Sequence, residues 1–540
     1  MDDAAHYIDM VNAAISADDL PRAAALSRAA LAAGVKHPLM VRLIAEDLEQ
    51  RGEAKAATAF MQRALTLMPG EPALLVKLAQ LLAANGQSSD ALRLFGEAAK
   101  TPAFAAEAHY GMARALLSGG DIELARKHLD RALELAPEYD EARATLALLL
   151  ARTGEGRVGR VEAERLLAKD PADPQARIAM AVADNAERDF AAAEQRMQAF
   201  LAEPDLGSGD RAAALAVLAD ALNGLKRIPE AFDAYGRAND LMREVFAKYG
   251  APSAQFSADI KGLIRAFIHE KKPERWAAVP LAKDEPVEAG GHAFLVGFPR
   301  SGTTLFEQIL ASHKGVVTLE EKATLLKVDN ELLRDGSDLD RLARISPEDA
   351  ARYRRNYWRV VKTFCDPRGK TFIDKMPINS ISLPVVAKLF PNAKILFARR
   401  DPRDVVLSCF RRAFMINPMT YTFTTLEGSA RLYDAVMTLA DLYRRALPLP
   451  VHEVRYERLV ADFEGETRQA CAFLDIPWED GMKEFAAASA TRTVSTPSAA
   501  QVRRGLYQEG QGQWRAYAAQ MAPVLPILEP WIGPKGYPVE

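Results

Sequence analysis

The chain has 540 residues, of which 49% are hydrophobic and 26% charged, and its formal net charge is −3. That length exceeds one ordinary domain, and the hydrophobic content excludes wholesale disorder. The charge gives no electrostatic reason to expect a nucleic-acid partner, and three cysteines, Cys365, Cys409 and Cys471, fit neither a zinc site nor a disulfide framework, so no metal is expected.

The first residues, MDDAAHYIDM, are acidic and lack the basic start and apolar run of a signal peptide. No apolar stretch approaches the ~18 residues of a membrane span. The expectation is a soluble, cytoplasmic protein. Beyond this start a period of 34 residues sets in. Ala23, Ala57, Ala91 and Ala125 follow it, as do Ala30, Ala64, Ala98 and Ala132. Between each pair lies Ser27, Met61, Phe95 or Leu129. Spacings of four and seven put these residues on one helix face, where small alanines let a second helix approach closely. Ala45, Ala79, Ala113 and Ala147 supply small residues on that partner helix, and Pro69, Pro137 and Pro171 close units. The pattern resembles the tetratricopeptide repeat. About six or seven units fit residues 4 to 246, irregular over Gly159 to Leu166, weak over Ala192 to Ala199, and clear again at Ala231, Tyr235 and Ala238. A surface for a peptide or protein partner and a mere scaffold are both open readings.

The period fails near Gly250. A helical pattern over Phe256 to Glu270 precedes a stretch dense in breakers, Pro273, Pro280, Pro286, Gly290 and Gly291, which reads as a linker. The expected division is a repeat array over 1–250, a helix and linker over 251–290, and a second domain over 291–540.

The second domain opens with a strand, AFLVG, followed by Gly297-Phe-Pro-Arg-Ser-Gly302-Thr303-Thr304 and a helical run. A strand, a tight glycine loop and a helix start make an anion site from backbone N–H groups. The Gly-x4-Gly spacing matches a nucleotide phosphate loop, but Thr303 stands where an NTPase carries lysine, and Arg300 offers a cation instead. A second strand, KILFA, leads to Arg399-Arg400-Asp401-Pro402-Arg403-Asp404 and another helix. Arg400 and Ser408 can converge there on one phosphate. Two phosphate sites on one parallel sheet imply a nucleotide phosphorylated at both ends.

These motifs resemble the sulfotransferases, and most closely the tyrosylprotein sulfotransferases and bacterial sulfotransferases fused to tetratricopeptide repeats. The resemblance covers roughly residues 291–535. It implies 3′-phosphoadenylyl sulfate (PAPS) as co-substrate, with no metal. It implies that Arg300, Ser301, Gly302, Thr303 and Thr304 hold the 5′-phosphosulfate, and that Arg400, Ser408 and Arg412 hold the 3′-phosphate. Lys375, in FIDKMP, matches a lysine that stabilises the leaving group, although it follows Asp374 where those relatives have Asn. Glu321, in VVTLEEK, matches the catalytic base, with Glu320 as its rival. His313 reads as structural. Tyr456 resembles a tyrosine that approaches the adenine, a core tyrosine being the other reading. Ser498, Arg503 and Arg504 fall in a segment resembling a loop that closes over the nucleotide, and Gln513 replaces a basic residue frequent before the tryptophan. The implied fold is a tetratricopeptide-repeat helical superhelix followed by a P-loop-like α/β sulfotransferase domain with a mainly parallel sheet. The implied activity is sulfonate transfer to an acceptor hydroxyl, a tyrosine or other peptide hydroxyl among the candidates. A repeat-based interaction protein with a non-catalytic nucleotide domain, and a P-loop kinase, are the alternatives.

Overall fold

The repeat period becomes helical hairpins. The structure is a computed structural model that describes residues 2–270, 272–486 and 510–538. Helices α1 (Asp2–Ser16), α3 (Pro38–Gln50), α5 (Pro72–Ala84), α7 (Pro102–Ser118), α9 (Asp140–Arg152), α11 (Pro174–Ala186) and α13 (Ser208–Gly224) each open a hairpin. Their respective partners are α2 (Leu20–Ala32), α4 (Ala54–Leu67), α6 (Ser88–Ala98), α8 (Ile122–Leu135), α10 (Gly156–Lys169), α12 (Phe190–Leu201) and α14 (Ile228–Val245). The alanine columns at 23/57/91/125, 30/64/98/132 and 45/79/113/147 are all buried, as are Ser27, Met61, Phe95 and Leu129 between them. Pro69, Pro137 and Pro171 follow the ends of α4, α8 and α10, where the missing N–H breaks no helical hydrogen bond.

A second column keeps the same period through the irregular units. Asp18, Gly52, Gly86, Gly120, Gly154 and Arg188 all turn with positive φ, between 54° and 90°. In the fifth hairpin Gly159 takes the alanine position because a Cβ there would lie 2.7 Å from the Ala147 carbonyl oxygen. In the sixth, the buried residues are Ala193, Met197 and Phe200, one position later than the reading from Ala192 to Ala199. Phe200 replaces the small residue that otherwise marks the register. In the last hairpin the positive φ falls at Lys226, an insertion of four residues relative to the period.

Two compact units divide the chain: residues 1–151 with 157–179, and residues 152–156 with 180–540. The second unit contains α12 to α14 together with a five-stranded sheet. Its strands are β1 (Gly291–Gly297), β2 (Val316–Glu320), β3 (Thr371–Lys375), β4 (Ala393–Arg399) and β5 (Val451–Arg455). The order is β2-β3-β1-β4-β5 and every pairing is parallel. Parallel strands covered on both faces read as continuous apolar runs, as AFLVG and KILFA do.

The sheet's helices are α15 (Gly250–Phe267), α16 (Thr303–Ala311), α17 (Leu326–Leu332), α18 (Leu339–Ala343), α19 (Pro347–Val361), α20 (Leu383–Leu389), α21 (Pro402–Arg411), α22 (Leu426–Ala446), α23 (Tyr456–Ala461) and α24 (Phe463–Phe473). Ala293, Leu295, Ile373 and Leu396 pack on one face with α16 and α24. Phe294, Val296, Phe372, Ile395 and Phe397 pack on the other with α15 and α19 to α22. The stretch from Pro273 to Gly290 is tied down rather than loose. Trp276 is buried, and Arg354 reaches both carboxylate oxygens of Glu285, at 2.5 and 2.7 Å. The same guanidinium donates to the carbonyls of Val279 and Leu389, each at 3.2 Å.

This topology fixes where a ligand can sit. The helix after β1 lies on one face and the helix after β4 on the other, while β1 and β4 are neighbours. The chain therefore parts beyond their C-terminal ends and leaves a crevice, the usual binding position in open parallel sheets. Both phosphate-type loops begin there.

Candidate active site

The loop after β1 is held in a conformation that few residues accept. Arg300 and Gly302 have φ of 71° and 92°. Gly302 caps α16 and lies against Tyr456, whose ring would be 2.8 Å from a Cβ at that position. Ser301, Thr303 and Thr304 are buried beside it. The first turn of α16 thus presents its N–H groups at the crevice, where they lack intrahelical acceptors.

The five arginines between 399 and 412 separate into two groups. Arg399 is a structural cation, 2.7 Å from Asp441 and 2.9 Å from Glu453. Arg403 pairs with Asp401 at 2.7 Å and stacks on Trp514, 3.9 Å from the ring centre. Asp401 also caps α21 through the Arg403 N–H, with Pro402 in the first turn. Arg400, Arg411 and Arg412 instead line a small polar pocket with Arg300, Ser408, Gly510 and Gln513. Arg300 Nε donates to Ser408 Oγ at 2.9 Å, and Arg400 Nη1 donates to the Arg300 carbonyl at 3.2 Å. Arg400 also donates to the Gly510 carbonyl and lies 4.9 Å from the centre of the Tyr456 ring. The structure therefore joins Arg300, assigned from sequence to the first loop, with Arg400, Ser408 and Arg412 of the second. Tyr456 lies buried between the two loops. Ser498, Arg503 and Arg504 lie outside the described residues.

Lys375 ends β3, in register with Leu295 of β1 and Glu320 of β2. Its ammonium is fully buried and meets three carboxylates: Glu321 at 2.8 Å, Glu307 at 3.3 Å and Glu320 at 3.4 Å. Burial alone would push its pKa down, but Glu321, Glu307 and Glu320 outweigh that and raise it, so the lysine stays charged. Burial raises the pKa of Glu307, against the pull of Lys375 and with the push of Glu320 and Glu321. Glu307 is thus the carboxyl that most readily keeps a proton. Side-chain exposure separates the three: 38% for Glu321, 14% for Glu320 and 1% for Glu307. Glu321 also has a positive φ of 47°, with its N–H donating to the Lys375 carbonyl at 2.8 Å. Backbone strain of this kind concentrates at functional sites.

Asp374 faces away from this cluster, as strand alternation requires. It accepts from Thr324 Oγ1 at 2.6 Å and from the Tyr357 hydroxyl at 2.9 Å, and burial raises its pKa to about 6. The residue preceding Lys375 is therefore a core group bonded to α19. His313 is likewise structural: it bonds the Pro477 carbonyl through Nε2 at 2.8 Å and accepts the Gly315 N–H.

Sequence reasoning passed over Glu307, Arg411 and Gln513 as site residues. A signal existed for Glu307. Every residue of α16 is buried, so a glutamate between Phe306 and Ile309 needs a partner. Arg411 carried no such signal, because its neighbours come from distant segments. Among the described residues no group of three or more His, Cys, Asp or Glu side chains could hold a metal ion. No described helix is long and apolar enough to cross a membrane.

Residues 293–480 match the model of the Sulfotransferase family, and residues 76–140 match that of the Tetratricopeptide repeat. An uncharacterised protein of Aquifex aeolicus is 28% identical over 356 residues, 63% of this chain and 45% of its own length. Protein-tyrosine sulfotransferase A of Caenorhabditis elegans is 28% identical over 197 residues, 35% of this chain and 50% of its own length. The omega-hydroxy-beta-dihydromenaquinone-9 sulfotransferase of Mycobacterium bovis is 30% identical over 139 residues, 24% of this chain and 34% of its own length. The chain thus spans about half or less of the length of the curated relatives it matches. Residues 76–140 thus resemble tetratricopeptide repeats, and residues 293–480 resemble the sulfotransferase family.

Proposed function

We propose that the protein transfers the sulfonate group of PAPS to an acceptor hydroxyl. The observation that carries this reading is the pocket between the two loops. Arg300, Arg400, Arg411 and Arg412 share it with Ser408, and no carboxylate is among its described lining residues. Guanidinium groups sharing one pocket offer several charged donors, from which a phosphate accepts bidentate hydrogen bonds. The first turn of α16 supplies a second anion site for the 5′-phosphosulfate through Ser301, Gly302, Thr303 and Thr304. A nucleotide with phosphate at both ends fits this pair of sites better than ATP, since no loop lysine follows Gly302 to meet a γ-phosphate.

In the reaction the acceptor oxygen forms a bond to sulfur while the bond from sulfur to the nucleotide's phosphate oxygen breaks. The hydroxyl proton passes to Glu321, the most exposed of the three carboxylates. The negative charge left on the phosphate oxygen is met by Lys375 and by backbone donors of the loop. The acceptor we favour is a tyrosine or other peptide hydroxyl, which a repeat array could present. The named acceptors of the relatives, a protein tyrosine and a menaquinone derivative, show that family alone does not fix the acceptor. We take residues 1–250 as the repeat array, 251–290 as the helix and connecting stretch, and 291–540 as the catalytic domain.

The test is calorimetric titration with 3′,5′-adenosine bisphosphate and with ATP plus Mg²⁺. The bisphosphate is expected to bind more tightly, and Arg400→Ala is expected to weaken it by about 10- to 100-fold, the cost of a charged hydrogen-bonded contact. Preference for ATP with Mg²⁺ would overturn the reading.

A further inference from the structure

The hairpin of α13 and α14 belongs to the same compact unit as the sheet, and it reaches the phosphate pocket. The Arg411 guanidinium lies close to two tyrosine rings, 5.3 Å from the centre of Tyr235 and 5.2 Å from that of Tyr517. Tyr235 belongs to α14. Its hydroxyl donates to Asp220 of α13 at 2.5 Å, which fixes the ring. Tyr517 donates to Asn223 of α13 at 2.8 Å. Asn239 of α14 donates to the carbonyl of Phe410, the residue before Arg411, at 2.9 Å. Phe232 of α14 packs on Phe410, with ring centres 5.1 Å apart.

These contacts hold one arginine at its backbone and place two aromatic rings beside its guanidinium. That arginine ends α21 and lines the pocket with Arg300, Arg400 and Ser408. A guanidinium is flexible on its own stem, and packing beside aromatic rings reduces that freedom before a ligand arrives.

We propose that the terminal repeat hairpin is part of the nucleotide site: Tyr235, with Tyr517, positions Arg411 to bind the 3′-phosphate of the sulfonate donor. The proposal rests on reading the pocket as the 3′-phosphate site. Seating of the hairpin and occupancy of that pocket are then linked, each favouring the other. Tyr235 is a positioning residue, since it acts through Arg411.

The experiment measures the affinity of the full chain for 3′,5′-adenosine bisphosphate and for adenosine 5′-monophosphate, which lacks the 3′-phosphate. Arg411→Gln should weaken the bisphosphate about 10- to 100-fold and leave the monophosphate within about twofold. Tyr235→Ala should weaken the bisphosphate by about tenfold with the same selectivity, and Tyr235→Phe, which keeps the ring but loses the hydroxyl that fixes it, should fall between Tyr235→Ala and wild type. Unchanged bisphosphate binding in Arg411→Gln overturns the proposal, as does an equal loss of both nucleotides in Tyr235→Ala. Should Tyr235→Ala fail to fold, Arg411→Gln decides, since it leaves the aromatic contacts of the hairpin in place. A wild-type chain that binds the two nucleotides equally well would overturn the reading of the pocket itself.

Discussion

At the scale of single residues, one buried ammonium is shared among Glu307, Glu320 and Glu321, and the proposed transfer turns on that sharing. Burial raises the pKa of Glu307 against the pull of Lys375, which favours its protonated form. Glu321 is left as the reachable carboxylate. Glu321→Gln is expected to reduce turnover by at least about 100-fold while bisphosphate binding changes little, which single-turnover assays and calorimetry together would show. Normal turnover in this variant would remove Glu321 as the base. Asp329 offers a pH-dependent counterpart in the core. Its carboxylate accepts from Ser382 Oγ at 2.9 Å, and burial raises its pKa to about 7 from 3.8. A raised folded pKa means stability that is complete below 3.8 and is lost as pH rises to about 7. Asp329→Asn is therefore expected to flatten the decline of Tm across that window. An unchanged slope would show that Asp329 ionises freely in the folded chain.

At the scale of elements, the loop from Gly297 to Thr304 joins sequence and site most directly. The Gly-x4-Gly spacing announced an anion loop, and the structure gives the reason for its second glycine. A side chain at Gly302 meets both a left-handed φ of 92° and the Tyr456 ring. Gly302→Ala is expected to lower stability by about 1–3 kcal/mol and to weaken bisphosphate binding, read by thermal unfolding and calorimetry. A variant as stable and as tightly binding as wild type would contradict the loop geometry. The repeat helices were equally legible, because packing between helices demands small residues at a fixed period. Legibility failed where a large residue substituted, as at Phe200, and the register slipped by one.

At the scale of the whole molecule, buried polar ties hold the second unit together. Arg354 closes the stretch before β1 onto α19 and α20 through Glu285 and two carbonyls. Arg354 holds the Glu285 carboxyl below its ordinary range, so this contribution is present above the usual carboxylate pKa and is lost as pH falls through the lowered one. Arg354→Met leaves the half-buried Glu285 with only the Ala282 N–H of its two bonding partners, and is expected to cost about 3 kcal/mol in denaturant unfolding. The double variant with Glu285→Met should recover much of that loss. Failure to recover would place the stabilisation in the carbonyl contacts instead.

The sequence by itself determined the periodic and the local: helical hairpins, parallel strands, a glycine loop, and an arginine-rich helix start after the fourth strand. These follow from patterns within one turn, one strand or one repeat, where neighbours in the chain are neighbours in space. Only the tertiary structure decided which charges face one another. It separated Arg399 and Arg403, neutralised by nearby carboxylates, from Arg400, Arg411 and Arg412 at the pocket. It brought Glu307 to Lys375 and Tyr235 to Arg411, contacts that span 68 and 176 residues of chain. The physical reason is that a charged side chain takes its function from its partners, and those partners are set by the packing of distant elements.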